Sequence, residues 1–248
     1  MTIPEPLIKR LQSARSVTVF TGAGVSAESG VPTFRDAQTG YWSKFRADVL
    51  ATPRAFKRDP KLVWKWYNWR SKLVAAVQPN PGHFAIAQME SLFSRFSLIT
   101  QNVDGLHQRA GSKNVVELHG NLTKVKCFDE NTMVERWNDD GQVPPKCPRC
   151  GGFLRPAVVW FEEELPKAEW RKAVDAIECD LFFTVGTSAL VFPAAALPSE
   201  AAKMGSTVVE VNPTMTDFTE QAHFHLGGPS GEVMPLIVEA MKSAKTAG

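Results

Sequence analysis

Apolar and polar positions along the chain alternate between two rhythms. Leu7, Ile8, Leu11 and Ala14 recur at helical spacing and predict a short amphipathic first helix. A β-branched run, VTVFTGAG from Val17, follows and ends in glycines, which predicts a buried strand. Comparable runs recur at FSLIT (96–100), NVVELHG (114–120), LFFTVGTS (181–188) and STVVEVN (206–212). Helical periodicity separates several of them, at 81–94, 168–178 and 193–204, with a last helix near 231–244. Compact apolar strands alternating with helices predict an α/β fold, a doubly wound parallel sheet covered on both faces. Each strand runs into a polar or glycine-rich segment: GAGVSAESG, TQNVDG, LHGN, GTSAL and VNPT. In such a sheet the chemistry lies beyond the carboxyl ends of the strands, so these five ends are expected to meet in one crevice.

Two stretches break the alternation. Residues 36–79 are aromatic-rich and helical in pattern, and 121–155 hold cysteines and many turn formers. They are expected to pack together as a smaller lobe, leaving 1–35, 80–120 and 156–248 to the sheet domain. A chain of 248 residues can bury such a core without disulfides. A net charge of +2 does not point to nucleic acid or an anionic membrane as the main partner. The first residues lack the apolar core of a secretory signal, and no apolar run approaches the ~20 residues that span a bilayer. The expectation is therefore a soluble, cytoplasmic monomer that needs neither nucleic acid nor membrane. Of four cysteines, Cys147 and Cys150 form a Cys-x-x-Cys pair, which puts metal or redox chemistry ahead of a disulfide framework. Cys179, in an apolar stretch, reads as a buried structural thiol.

Gly22 and Gly24 end the first strand, where a backbone can turn tightly, approach a pyrophosphate and offer it the start of a following helix. Taken alone, Gly-x-Gly is equally a plain strand-to-helix turn. The third glycine, Gly30, departs from the dinucleotide spacing, and no second strand ends in an acidic residue about 20 positions on, which argues against a hydride-transfer enzyme. The longer segment GAGVSAESGVPTFR (22–35) is more specific and resembles the opening signature of the sirtuins. TQNVDGLHQRAG (100–111), ELHG (117–120), CPRCGG-x-LRP-x-VVWF (147–161), GTS (186–188) and VN (211–212) match that family in order.

The resemblance implies a Rossmann-like domain with a small lobe built from the helical insertion and a zinc-ribbon-like insertion. It implies NAD-dependent removal of acyl groups from lysines of proteins or peptides, the acyl group passing to ADP-ribose as nicotinamide leaves. His119 then takes the place of the general base, a role suited to a side chain that titrates near neutrality. Asn102 stands beside it as the second catalytic residue. Gln101, Asn102 and Asp104 would hold ribose hydroxyls, a water and the nicotinamide amide. Phe34 and Arg35 would lie in a loop closing over the ribose. Gly22, Ala23, Gly24, Glu28, Gly186, Thr187, Ser188, Asn212 and Ser230 complete the implied cofactor contacts. Read without the resemblance, QNVDG is a turn, GTS a helix cap and His119 a locally satisfied histidine. Val159, Trp160, Phe161 and Val191 would flank an extended peptide held as an added strand. The family often has Gly after the Phe, where this chain has Glu162.

In WKWYNWR (64–70), Tyr67 and Arg70 are three apart on a predicted helix and can point to one place. By pattern alone this is an aromatic helix packing its tryptophans, with Arg70 reaching for water. Within the family, Tyr-x-x-Arg resembles the class III members, whose acyl pocket takes succinyl and malonyl groups, and a small Ala37 would leave room for them. Acetyl-lysine remains a possible substrate. Cys127, Cys147 and Cys150 match three positions of the family's structural zinc site, and the fourth falls on Glu130. Three readings stay open here: zinc on three sulfurs and a carboxylate, a lobe that folds without metal, and a redox pair. Two other functions also remain at this point, an ADP-ribosyltransferase using the same pocket and an inactive NAD-sensing module.

Overall fold

Six parallel strands form the central sheet of the computed structural model, which describes residues 2–32, 43–138, 141–188 and 190–246. They are β1 (Ser16–Thr21), β2 (Arg95–Thr100), β3 (Val115–Glu117), β6 (Leu181–Val185), β7 (Thr207–Val211) and β8 (Phe224–Leu226). Their spatial order is β3-β2-β1-β6-β7-β8. Every residue of β1, β6 and β7 is buried, as expected of strands covered on both faces. Successive crossovers run outward from β1 through β2 to β3, then return to β6 on its other side. The winding therefore reverses between β1 and β6, where open α/β sheets leave a crevice for ligands.

One face of the sheet is covered by α1 (Glu5–Ser13), α6 (Pro81–Met89) and α10 (Ser230–Thr246), with Leu7, Leu11, Ile86, Met89, Met234 and Ile237 in the core. The other is covered by α8 (Lys167–Asp175) and α9 (Leu197–Lys203) against Phe20, Ile99, Phe182 and Val208. Short helices α2 (Gly24–Ala27) and α7 (Leu106–Arg109) follow β1 and β2. The smaller lobe comprises α3 (Ala47–Leu50), α4 (Pro53–Arg58) and α5 (Pro60–Ala76), packed against the antiparallel pair β4 (Gly120–Cys127) and β5 (Leu154–Val158). Phe56, Trp66, Tyr67 and Trp160 form its core. No described helix is long and apolar enough to cross a membrane.

Among the elements that differ from the sequence pattern, β4 and β5 fall in or beside the stretch rich in turn formers, and the strand expected over 114–120 ends at Glu117. The helix expected over 81–94 ends at Met89, because Ser91 and Ser94 turn their hydroxyls onto the carbonyls of Gln88 and Arg15 instead of continuing the ladder. The edge strand β8 was not among the expected five; three residues, FHL, carry too little pattern to declare a strand.

Candidate active site

At the switch point the loops after β1 and β6 press against each other. Gly22 N donates to Val185 O (3.0 Å) and Gly24 N to Gly186 O (2.8 Å). A Cβ on Gly24 would stand 2.7 Å from Gly186 O, and one on Gly22 2.7 Å from Thr187 Cβ. Glycine is required there by the neighbouring loop as well as by any ligand. The helix that follows is only Gly24–Ala27, a single turn, so the expected helix N-terminus has little dipole.

A polar cluster fills the floor behind these loops. Asn102 Nδ2 donates to Gly22 O (2.9 Å) and Ser26 Oγ (3.1 Å), and Ser26 donates to Asp104 Oδ2 (2.7 Å). Asp104 Oδ1 also accepts from Leu106 N at 2.9 Å. Burial nonetheless raises the Asp104 carboxyl above its ordinary range, against the pull of those donors. Gln101 Nε2 reaches across to Thr187 Oγ1 at 2.9 Å, joining the ends of β2 and β6.

His119 sits where the big and small lobes join. Its neighbour Leu118 donates from its backbone to Thr100 O (3.0 Å), and His119 O accepts from Val159 N (2.8 Å). The ring Nδ1 lies 3.0 Å from Gln101 O. A carbonyl can only accept, so Nδ1 carries the proton and Nε2 is left as the basic nitrogen. Burial lowers the ring's pKa, with the Gln101 bond acting in the opposite sense, so the imidazole is neutral at neutral pH.

A cavity of about 1420 Å³ runs from the switch point to the small lobe. It is lined by Gly22, Ala23, Gly24, Gln101, Asn102, Asp104, His119, Gly186, Thr187, Ser188 and Asn212 from the sheet domain. Tyr67, Arg70, Val159, Trp160, Phe161 and Val191 line its other end. Glu28 and Ser230, expected at the cofactor, lie outside that lining and are bonded to each other. Ser230 Oγ donates to Glu28 Oε1 (2.7 Å), and Gly231 N to the same oxygen (2.9 Å). The start of α10 presents N–H groups with no partner in the helix, and a carboxylate satisfies them. Phe34, Arg35 and Ala37 fall outside the described residues. Ser26, which the motif contains but which was not singled out, proves to be the hub linking Asn102 and Asp104.

The small-lobe end is a stack of rings. Helix α5 is started by Asp59, whose side chain accepts from Leu62 N (2.9 Å), with Pro60 in its first turn. It delivers Tyr67, 6% exposed, with its ring edge-on to Trp66 (4.5 Å) and stacked on Trp160 (6.2 Å). Burial pushes the Tyr67 phenol well above its usual range, while Arg70 and Arg155 pull the other way. Arg70 lies one turn on, its guanidinium 5.3 Å from the Trp66 ring; burial lowers its pKa, and Tyr67 and Asp104 counter that. The Arg155 guanidinium lies 3.2 Å from the centre of the Trp160 ring and donates to Glu163 Oε2 (3.0 Å) and Val158 O (2.7 Å). Arg155 is the arginine of the LRP motif, but sequence reasoning assigned it no role, and Glu163 lies beyond that motif, so their pairing was not foreseen.

Cys127, Cys147 and Cys150 converge, as expected, with Glu130; their ligand atoms lie within 4.8 Å of one another. Three sulfurs and a carboxylate are donors that suit zinc. Cys179 is half-buried, its thiol donating toward Leu181 O (3.3 Å), and belongs to the core.

Comparison with known proteins agrees with this geometry. The model of the Sir2 family matches residues 22–193. An NAD-dependent protein deacylase of Methylococcus capsulatus is 47% identical, covering 99% of this chain and 100% of its own length. Another from Aquifex aeolicus is 52% identical over 85% of this chain and 88% of its own. A crystal structure of a Sir2 homologue with NAD superposes with a TM-score of 0.90 at 45% identity, covering 98% of this chain and 95% of that one. A Sir2–p53 peptide–NAD+ complex superposes with a TM-score of 0.83 at 30% identity, covering 95% and 97%.

Proposed function

The chain belongs to the Sir2 family of NAD-dependent enzymes, and from that premise we propose that it is a protein lysine deacylase whose acyl pocket prefers acidic groups, succinyl and malonyl above acetyl. The deacylase reading rests on His119, a neutral imidazole with Nδ1 held by Gln101 O and Nε2 left to take a proton. NAD supplies the ribose that receives the acyl group and loses nicotinamide as the leaving group. The loops at Gly22–Gly24 and Gly186–Ser188 would hold its phosphates on backbone amides, and Gln101, Asn102 and Asp104 its ribose and amide. His119 moves the ribose hydroxyl's proton onto Nε2, while the bond to Gln101 keeps the ring from turning. The lysine enters past Phe161 and Val191, whose exposed side chains flank the mouth.

One observation supports the finer reading: Arg70 and Tyr67 line the same cavity as His119, beside the buried Trp160 ring. A succinyl carboxylate carried there sheds its water and needs a charged donor. A hydrogen bond to a charged group is worth about 1.5–3 kcal/mol, about one to two powers of ten in specificity. Arg70→Met should lower kcat/KM on succinyl-lysine peptides by that factor and leave acetyl-lysine nearly untouched. Tyr67→Phe removes one donor and should give a smaller loss of the same sign. The assay is an acyl-lysine peptide panel with and without NAD, read by mass spectrometry for acyl-ADP-ribose. Equal losses on acetyl and succinyl substrates would leave a plain deacetylase with a structural Tyr67 and Arg70.

A further inference from the structure

The cysteine-bearing lobe contains two copies of one turn. In the first, Lys126 bridges to Met133 and Cys127 N donates to Thr132 O at 2.9 Å. In the second, Lys146 bridges to Phe153 and Cys147 N donates to Gly152 O at 2.7 Å. The bridge spans the same positions in each turn, one residue before the cysteine and six after it. Glu130 N, three residues past Cys127, turns onto its sulfur (3.5 Å), and Cys150 stands at the same position after Cys147. The two turns face each other, with Cys127 Sγ 3.4 Å from Cys150 Sγ. Superposing one turn on the other by these bonds puts Glu130 where the second has Cys150.

Glu130 is also held as a ligand would be. Arg149 Nη2 lies 2.9 Å from its Oε2, and Thr132 Oγ1 donates to the same oxygen at 3.3 Å. Both partners fall on Oε2, which leaves Oε1 for a cation. Carboxylates that bind metals are oriented in this way by neighbours that take the other oxygen. Arg149 lies between Cys147 and Cys150, so the turn that supplies two thiols also supplies the clamp. Three thiolates and a carboxylate around a divalent cation leave a double negative charge, and the guanidinium offsets one unit of it.

We infer that Glu130, through Oε1, is the fourth ligand of a three-sulfur, one-oxygen zinc centre, and that Arg149 and Thr132 are the clamp that presents it. The centre is independent of the acyl-pocket reading. It takes the first of the three readings of the cysteines, and a metal titration separates it from a redox pair or a metal-free lobe.

The experiment uses the full-length protein, titrated with zinc against a chromophoric chelator and with cobalt(II) as a spectroscopic probe. Wild type should bind one zinc per chain, and cobalt should give thiolate charge-transfer bands with the visible bands of a tetrahedral S3O site. Glu130→Gln should weaken zinc ~10–100-fold or more and shift the visible cobalt bands. Arg149→Gln should weaken zinc ~10-fold while leaving the bands in place, because the ligand set is unchanged. Glu130→Cys should intensify the charge-transfer bands as a fourth sulfur enters. Glu130 and Arg149 are exposed, so these changes spare the core; if Glu130→Gln does not fold, the other two variants decide. Equal affinity and an identical cobalt spectrum in Glu130→Gln, or in Glu130→Cys, would overturn the assignment. So would a wild-type protein that takes up no zinc.

Discussion

The proton on one nitrogen of His119 decides what the site can do. The backbone carbonyl of Gln101 fixes that proton on Nδ1, and no side-chain substitution can remove the carbonyl. The testable element is the ring itself. His119→Tyr should abolish deacylation while the protein still folds and binds NAD, since the imidazole's hydrogen bond is to Gln101 O, outside the loops at Gly22–Gly24 and Gly186–Ser188. Near-normal turnover would remove His119 from the base role. The pH profile gives an independent check. A base acts unprotonated, and burial lowers this one from the ordinary histidine value of about 6.5. The acid limb of kcat/KM should therefore fall below pH ~6.5. An acid limb centred above neutrality would mean that the ring is stabilised as a cation, contrary to its surroundings.

At the scale of elements, function depends on how closely two loops approach. Gly24→Ala would drive a methyl to 2.7 Å from Gly186 O, and both partners are backbone, so neither can yield cheaply. The variant should lose most NAD affinity in a binding titration and lower Tm by several degrees, roughly the effect of 1–3 kcal/mol of overpacking. Unchanged affinity and Tm would show that the loops move freely past each other. This contact also marks how far the sequence could be read. The five strand ends and the motif residues that gather at the crevice were legible, because buried parallel strands and glycine turns leave strong local patterns. Contacts between distant segments were not. Glu28 and Ser230 stand 202 residues apart, and nothing local says that the carboxylate accepts from the start of α10. Arg155, buried against the Trp160 ring, pairs with Glu163, a contact that the LRP motif does not announce. Helix α2 was expected to lend a dipole, but its length depends on where Ser29 and Gly30 turn the chain, which periodicity does not fix over four residues.

For the molecule as a whole, acid stability follows from two histidines that the chemistry does not use. His83 on α6 and His107 on α7 are 0% and 1% exposed, with ring centroids 4.9 Å apart. Burial pushes His83 down to about 4; burial and then the neighbouring His83 push His107 down to about 3. Unfolded, both titrate near 6.5. A histidine depressed in the fold contributes its full stability above the unfolded value and loses it as pH falls, because the unfolded chain takes up the proton first. The loss runs from about pH 6.5 towards 4 for His83 and 3 for His107. Each approaches 1.4 kcal/mol per pH unit, so the pair costs about 4 kcal/mol by pH 5. Asp104 works in the opposite direction, since a carboxyl raised by burial binds its proton first in the fold, and it offsets part of that loss. A domain has only about 5–15 kcal/mol of stability, so the effect should be plain in urea titrations at pH 7, 6 and 5. His107→Gln, which replaces a titrating ring with a neutral amide near Thr21 Oγ1, should lower stability at pH 7 but flatten its decline towards pH 5 by about half. If wild type and variant fell in parallel between pH 7 and 5, His107 would not be the buried neutral group described above. The carboxylates offer no substitute, since Glu163, which against the upward push of burial is held down by Arg155, and Asp180, which backbone N–H groups hold down, lose their contribution only below their ordinary values of 4.5 and 3.8.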